Sequence, residues 1–398
     1  MTRDDILEAA FTAWGQDAYR TMSLSDVAAR LGVTKPALYR HFKSKDELMN
    51  AMMKDFFDRF IVRLHTLIAE AYAPGPDTVT LLDMVEGFAD YYARGKEDLV
   101  FTFARLLGVP DPEKLIIHEL SARGITAPAH SGIHDERTAR LHFALSTCFF
   151  SVAVFHFERC DATSPPTENE IARAVSDARS IAARGLAFPP ESLAMLDYPA
   201  LERLARLDAS ETAPGDGLLP AIASAVAEAG PWNASMELVA RRSGLSKSGL
   251  YAHYRSREEM LKHLFLSEFE RISAVMADRA LRSENPVEQL YLAMAAAAHY
   301  LSERQDVLVA LDWIRAQRVH LGREMPETIT ILFGFLSEAA ARGECRLPAG
   351  RLEPTIRWIL FLLVNMLMRT RRVDQAEAAV QSRLRALHAN VCVGLEGW

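Results

Sequence analysis

Two short stretches concentrate the side chains best suited to grip a charged partner. The first carries Lys35, Tyr39, Arg40, His41 and Lys45, and the second, 212 residues later, carries Lys247, Tyr251, His253, Arg255 and Arg257. Between 27–47 and 239–259, ten of the 21 positions are identical without a gap, so the chain carries one motif twice. Five cations, Arg30, Lys35, Arg40, Lys43 and Lys45, face Asp26 alone within 26–45, a local +4. Arg241, Arg242, Lys247, Arg255 and Arg257 face no acid within 241–257, a local +5, which leaves −16 on the remainder of a chain whose net charge is −7. Lys and Arg neutralise nucleic-acid phosphates, and two basic patches on an acidic body describe such a footprint.

The elements that must present these patches are short helices. Leu24, Val27, Ala28 and Leu31 fall on one stripe, with Ser23 placed to cap the first turn and Asp26 near the partly positive helix start. Gly32 stops that helix, Thr34 can cap the next, and Pro36 is tolerated in its first turn. Leu38 and Phe42 then turn inward, leaving Lys35, Ala37, Tyr39, Arg40 and His41 outward. Ser44 with Glu47, and Ser256 with Glu259, make capping boxes for the helices that follow. Helix, glycine turn, helix is the helix-turn-helix, whose second helix enters the DNA major groove. Thr2 can cap a preceding helix with Ile6, Ala9, Ala10 and Ala13 inward, which leaves Arg3 free for a phosphate.

LGVTKPALYRHFKSKDELM in 31–49 and SGLSKSGLYAHYRSREEML in 243–261 resemble the turn, recognition helix and fourth-helix start of the TetR family of bacterial transcriptional regulators. The resemblance covers about 3–60 and 217–272 and implies an all-α chain of two tandem TetR-like units. Each would be a three-helix DNA-binding head followed by a helical ligand-binding and dimerisation bundle. It also implies residue roles. Ser23, Thr34, Tyr39, His41 and Lys45 would contact the DNA backbone, with Lys35, Pro36, Ala37 and Arg40 facing bases. In the second copy Ser235, Ser246, Tyr251, His253 and Arg257 take the first role, and Lys247, Ser248 and Gly249 the second. Pro36-Ala37 against Ser248-Gly249, and Arg40 against Ala252, imply different half-sites for the two heads.

The expected boundaries are a head in 1–50, a bundle in 51–188, a Pro- and Gly-bounded linker in 189–217, a second head in 218–262 and a second bundle in 263–398. A long lever helix should run from Glu47 to about 72, and another over 258–281. Helices over 137–158 and 168–187 are expected, with 143–157 as a buried seam to a partner or, as the alternative, simple domain core. The family's two-fold dimers suggest an intra-chain pseudo-dimer reading an asymmetric operator, with a homodimer as the rival. Family members are released by small molecules, and Phe88, Tyr91, Tyr92, Phe101 and Phe103, then Tyr300, Trp313 and Phe333, are candidate linings for an apolar effector, although aromatics at helical spacing more often form core.

Other chemistries find less support. His118-Glu119 and His134-Asp135 lack the spacing of a metal site or a triad, and no glycine-rich phosphate loop follows a strand, so neither catalysis nor a cofactor or metal is expected. Cys148, Cys160, Cys345 and Cys392 are dispersed, as suits thiols in a reducing cytoplasm. The apolar runs 143–157 and 358–368 fall short of the roughly 20 residues of a membrane span. The alternative function is a helical small-molecule or protein-binding scaffold in which the second head no longer binds DNA.

Overall fold

The computed structural model of the chain describes residues 2–16, 24–71, 77–103, 112–125, 136–159, 162, 164–215, 217–229, 234–317, 327–348, 351–373 and 376–397. Every regular element among them is a helix, as the sequence pattern implies. The chain divides into two compact units: Met1–Gly132 with Cys148–Arg179, and Ile133–Thr147 with Ser180–Trp398.

The first unit opens on α1 (Arg3–Gln16), α2 (Leu24–Arg30) and α3 (Lys35–Tyr39), followed by the long α4 (Lys45–Ala71). Thr2 starts α1 as expected, its hydroxyl accepting the Asp5 amide at 3.1 Å. Around α4 stand α5 (Thr78–Arg94), α6 (Lys96–Phe101) and α7 (Pro112–Ala122). Asp77 caps α5 by accepting the Thr80 amide at 2.7 Å. The interior is an aromatic lattice. Phe56 meets Phe60 at 5.3 Å and Phe101 at 5.2 Å, Phe60 meets Tyr91 at 5.7 Å, and Tyr92 meets Phe149 at 5.4 Å. Such pairs add about 0.5–1.5 kcal/mol each beyond the area they bury.

Two helices serve both units. α8 (Glu136–Glu158) gives its start to the second unit and its end to the first, and α9 (Glu168–Arg184) is divided the other way. The stretch Thr138–Glu158 is 21 residues long with mean hydropathy 1.4, long and apolar enough to cross a bilayer and longer than the run expected from sequence. Half of its apolar window is buried inside the protein, where Phe143, Ala144, Cys148 and Val152 are core. α9 stops three residues before its expected end because Gly185 takes φ 53°, a left-handed conformation, with its Cα against the Val391 carbonyl.

Residues 189–217, expected as a linker, form three short helices packed within the second unit: α10 (Glu191–Ala194), α11 (Tyr198–Ala205) and α12 (Ala209–Thr212). Leu201, Ala205 and Leu207 are buried, and Glu202 on α11 holds the Arg385 guanidinium by two bonds of 2.7 Å. The signal was present: Asp208 and Glu211 form a capping box, which is readable as a helix start.

The second unit continues with α13 (Leu219–Ala229), α14 (Met236–Arg242), α15 (Lys247–His253) and the long α16 (Arg257–Ala280). Its bundle is α17 (Pro286–Glu303), α18 (Gln305–Gln317), α19 (Glu327–Leu332), α20 (Gly334–Ala341), α21 (Leu352–Val373) and α22 (Glu377–Val393). Between α19 and α20 the helical run is broken at Phe333, whose ring is fully buried and which precedes the weak helix former Gly334. Near the C-terminus, α9 and α22 exchange backbone bonds reciprocally. Leu186 donates to the Val391 carbonyl at 2.8 Å, and Leu395 donates to the Ala182 carbonyl at 2.9 Å. Gly394, like Gly185, has positive φ and lies where a Cβ would strike a carbonyl, here that of Ala183.

Candidate nucleic-acid interface

Each head builds its turn in the same way. Gly32 (φ 64°) and Gly244 (φ 71°) end the first motif helix, and the next residue folds back: Val33 donates to the Ala28 carbonyl and Leu245 to the Ala240 carbonyl, both at 2.9 Å. This closure satisfies otherwise orphaned carbonyls and fixes the angle at which the second helix leaves. Leu38, Phe42 and Leu250 are fully buried, and Tyr254 nearly so. Those anchors hold the opposite face outward. Lys35, Pro36 and Arg40 are exposed, Tyr39 is 42% exposed, and Ala37 and His41 are partly so. In the second head Lys247, Ser248, Ala252 and His253 are exposed, Tyr251 is 46% exposed, and Gly249 is partly so.

The structure therefore gathers most of the sequence-predicted residues on one outward face per head. Ser23 and the Asp26 side chain lie outside the described residues. Ser235 caps α14 through the Leu238 amide at 3.2 Å, and Ser246 caps α15 through the Gly249 amide at 3.0 Å. Thr34 stands at the same position before α3, yet its hydroxyl makes no capping bond. Lys45 opens α4, partly buried. Both expected capping boxes close one residue upstream of the usual place. Ser44 and Ser256 each accept the amide three residues on at 3.1 Å, while Glu47 and Glu259 reach back to the amides of Lys43 and Arg255.

Three cations are more engaged than the sequence suggests. Arg257 is half-buried, its Nε donating to the Ala234 carbonyl at 2.9 Å, and burial pulls its guanidinium below the ordinary arginine range against the opposing pull of Glu258. Arg242 turns back to α13, bonding Ser224 at 2.9 Å and pairing with Glu228. Arg3, expected to be free, lies 4.4 Å over the Phe42 ring and 3.9 Å from Glu47, because the ring face and carboxylate beside it attract a cation.

The candidate effector linings sit in the packed interior. Phe88, Tyr91, Tyr92 and Phe101 belong to the aromatic lattice, and Phe103 is partly buried against Phe149 at 5.8 Å. Tyr300 is fully buried with its hydroxyl donating to Glu268 at 2.7 Å, and Phe333 packs on Phe335. The Trp313 side chain lies outside the described residues. Two cavities of the second unit have other walls, one between α8, α21 and α22 and one between α11, α17, α18, α21 and α22.

Comparison with known proteins meets the same two regions. Residues 6–52 and 218–264 each match the family described as bacterial regulatory proteins, tetR family. A transcriptional repressor, KstR2 of Mycolicibacterium smegmatis, is 29% identical over 72 residues, which are 18% of this chain and 35% of the relative. KstR2 of Mycobacterium tuberculosis is 26% identical over the same length. The nucleoid occlusion factor SlmA of Photorhabdus laumondii is 29% identical over 93 residues, 22% of this chain and 45% of the relative. The chain thus spans under half the length of the relatives it matches. These relatives are named for regulation and occlusion, in keeping with the expectation that the chain is not an enzyme. The chain thus carries two tandem regions of the TetR regulatory type, one in each half and each folded as a helix-turn-helix.

Proposed function

We propose that the chain is a DNA-binding transcriptional regulator that reads an asymmetric operator with two unlike recognition helices, α3 and α15. The observation that carries this reading is the pair of outward faces, each with an exposed lysine at its start and a half-exposed tyrosine one turn on. On this reading Lys35, Pro36, Ala37 and Arg40, or Lys247, Ser248 and Gly249, would face base edges and set sequence preference, while the tyrosines would hold register on phosphates. Repression is the favoured sign, in line with the repressor KstR2. Release by a small molecule, action in the cytoplasm and the Phe88-to-Phe333 linings belong to the same reading.

Pairing of the two halves within one chain is part of the proposal. Its support is the reciprocal exchange between the ends of α9 and α22, with Trp358 on α21 donating to Thr147 on α8 at 3.1 Å. Such self-matching contacts are what a two-fold interface requires, here supplied by two unlike copies. The reading in which the second head has left DNA draws on one observation, the engagement of Arg242 with Ser224 and of half-buried Arg257 with the Ala234 carbonyl.

Gel shift with the DNA upstream of the protein's own gene, at stated salt, tests both. Lys35→Ala with Tyr39→Ala should weaken binding at least tenfold, and Lys247→Ala with Tyr251→Ala should do likewise. An unchanged affinity in the second pair would assign DNA to the first head alone. Light scattering at micromolar concentration should return one 44.4 kDa chain, and a mass near twice that would overturn the intra-chain pairing.

A further inference from the structure

The cavity between α8, α21 and α22 has a volume of about 310 Å³, within the range of small-molecule sites. Its walls differ from end to end. On α21 the lining residues Leu362, Asn365, Met366 and Arg369 follow one helical face, and on α22 Arg383 precedes Leu387 by one turn. Only 374–376 separate these two helices, so they run antiparallel and bring Arg369 and Arg383 to the same end. The register of α8 follows from Trp358, which bonds Thr147 at 3.1 Å and lies 5.9 Å from Phe143. Running back from those contacts, α8 sets Thr138 and His142 toward the two arginines and Phe143 toward Leu362 and Leu387. One end is cationic and hydrogen-bonding, the other apolar, and among the described residues none of the lining is a carboxylate.

We infer that this cavity binds an amphipathic monocarboxylate, its headgroup held between Arg369 and Arg383 and its short acyl or aryl body lying against Phe143, Met366 and Leu387. A guanidinium has five N–H donors in a planar fork, so a partner inside the protein leaves donors over for a carboxylate. The site is separate from the aromatic linings named above and draws one wall, α8, from the first half of the sequence and two, α21 and α22, from the second. Its role as an effector site rests on the regulator reading, whereas occupancy of the cavity does not.

The test uses the full chain without DNA, titrated with decanoate and 1-naphthylacetate by calorimetry, with decanol as the uncharged control. Saturable binding of at least one carboxylate, at least tenfold tighter than decanol, is expected. Arg369→Gln with Arg383→Gln should remove that preference, leaving decanol unaffected. Ala386→Leu, which fills the cavity and keeps both arginines, should weaken all three ligands and covers the case in which the double variant fails to fold. Failure of both carboxylates to bind, an affinity equal to that of decanol, or undiminished binding by either variant would overturn the site. Gel shift of the ligand-free chain tests the regulator reading separately, so one can fail while the other stands.

Discussion

The two halves bury the same kind of polar contact beside the long helix that follows each head, but with the charges exchanged. In the first half the long helix α4 supplies the cation: Arg59 reaches Asp98 on α6 at 2.6 Å, and the Tyr91 hydroxyl donates to the same carboxylate at 2.7 Å. In the second half the long helix α16 supplies the anion. Glu268 accepts the Tyr300 hydroxyl at 2.7 Å and lies 3.5 Å from Arg304 and 3.8 Å from Arg271. Burial separates them further. The Arg59 side chain is 44% exposed, whereas those of Arg304 and Glu268 are 5% and 1% exposed. The requirement shared by both copies is therefore a tyrosine-bound carboxylate at this joint, and which helix carries it is free to change. Water reaches the first contact and is kept from the second, so the second is the more exacting one to break.

The largest effect should fall there. Glu268→Gln leaves Arg304 with Asp306 alone, and breaking a buried pair of this kind costs about 3–5 kcal/mol. Asp98→Asn, whose Arg59 partner can turn to solvent, should cost about half as much or less. Urea denaturation of the two variants checks the order, and equal losses would dissolve the contrast between the halves.

Next in size is the acid sensitivity of His388 in the second half. Burial holds His388 down to about 4, opposed by its bond to the Val287 carbonyl at 2.9 Å. An unfolded histidine titrates near 6.5, so the fold favours the neutral ring. Its contribution is complete above about pH 6.5 and is lost as pH falls toward 4, at about 1.4 kcal/mol per unit. Hydrogen exchange in α22 should show about 2 kcal/mol less protection at pH 5 than at pH 7 after correction for intrinsic rates. His388→Gln should narrow the gap, and a gap of unchanged size would place the titration elsewhere.

Much of this was legible in advance, and the reasons differ by element. Both turns could be read because Gly32 and Gly244 are required by positive φ and Leu38 and Leu250 by burial, which are local demands. The exchange at Leu186 and Leu395 could not, since it joins residues about two hundred apart and depends only on backbone geometry. Arg257 shows the limit at the site itself. The motif marks it as a cation for phosphate, and only the fold brings the Ala234 carbonyl within 2.9 Å of it. The 189–217 stretch misleads through its Pro and Gly ends, which mark boundaries but say nothing of the packed helices between them.

A smaller effect should follow from exchanging the base-facing residues. Pro36→Ser with Ala37→Gly and Arg40→Ala gives the first head the second head's face. If the two heads read different half-sites, each altered contact shifts preference by about 1–3 kcal/mol per base pair. Selection from random half-sites should then return one symmetric operator in place of an asymmetric one. Recovery of the original asymmetric site would mean that sequence is read elsewhere.

The smallest and cleanest contrast is at the caps. Ser246 satisfies the Gly249 amide at 3.0 Å, and losing such a cap costs about 1 kcal/mol. Thr34 makes no such bond, and its helix, which starts at Lys35, carries Pro36 in its first turn, whose fixed φ and missing N–H reduce the need for one. Ser246→Ala should therefore lower protection of α15 amides by about 1 kcal/mol, while Thr34→Ala should leave α3 within a few tenths. The prediction separates stability from DNA binding, because a hydroxyl not spent on a cap is one left for a phosphate. If Thr34→Ala weakens operator binding with no loss of protection while Ser246→Ala does the reverse, the same motif position serves contact in one head and folding in the other. Equal losses of protection would mean that Thr34 caps its helix in solution and that the two heads are built alike.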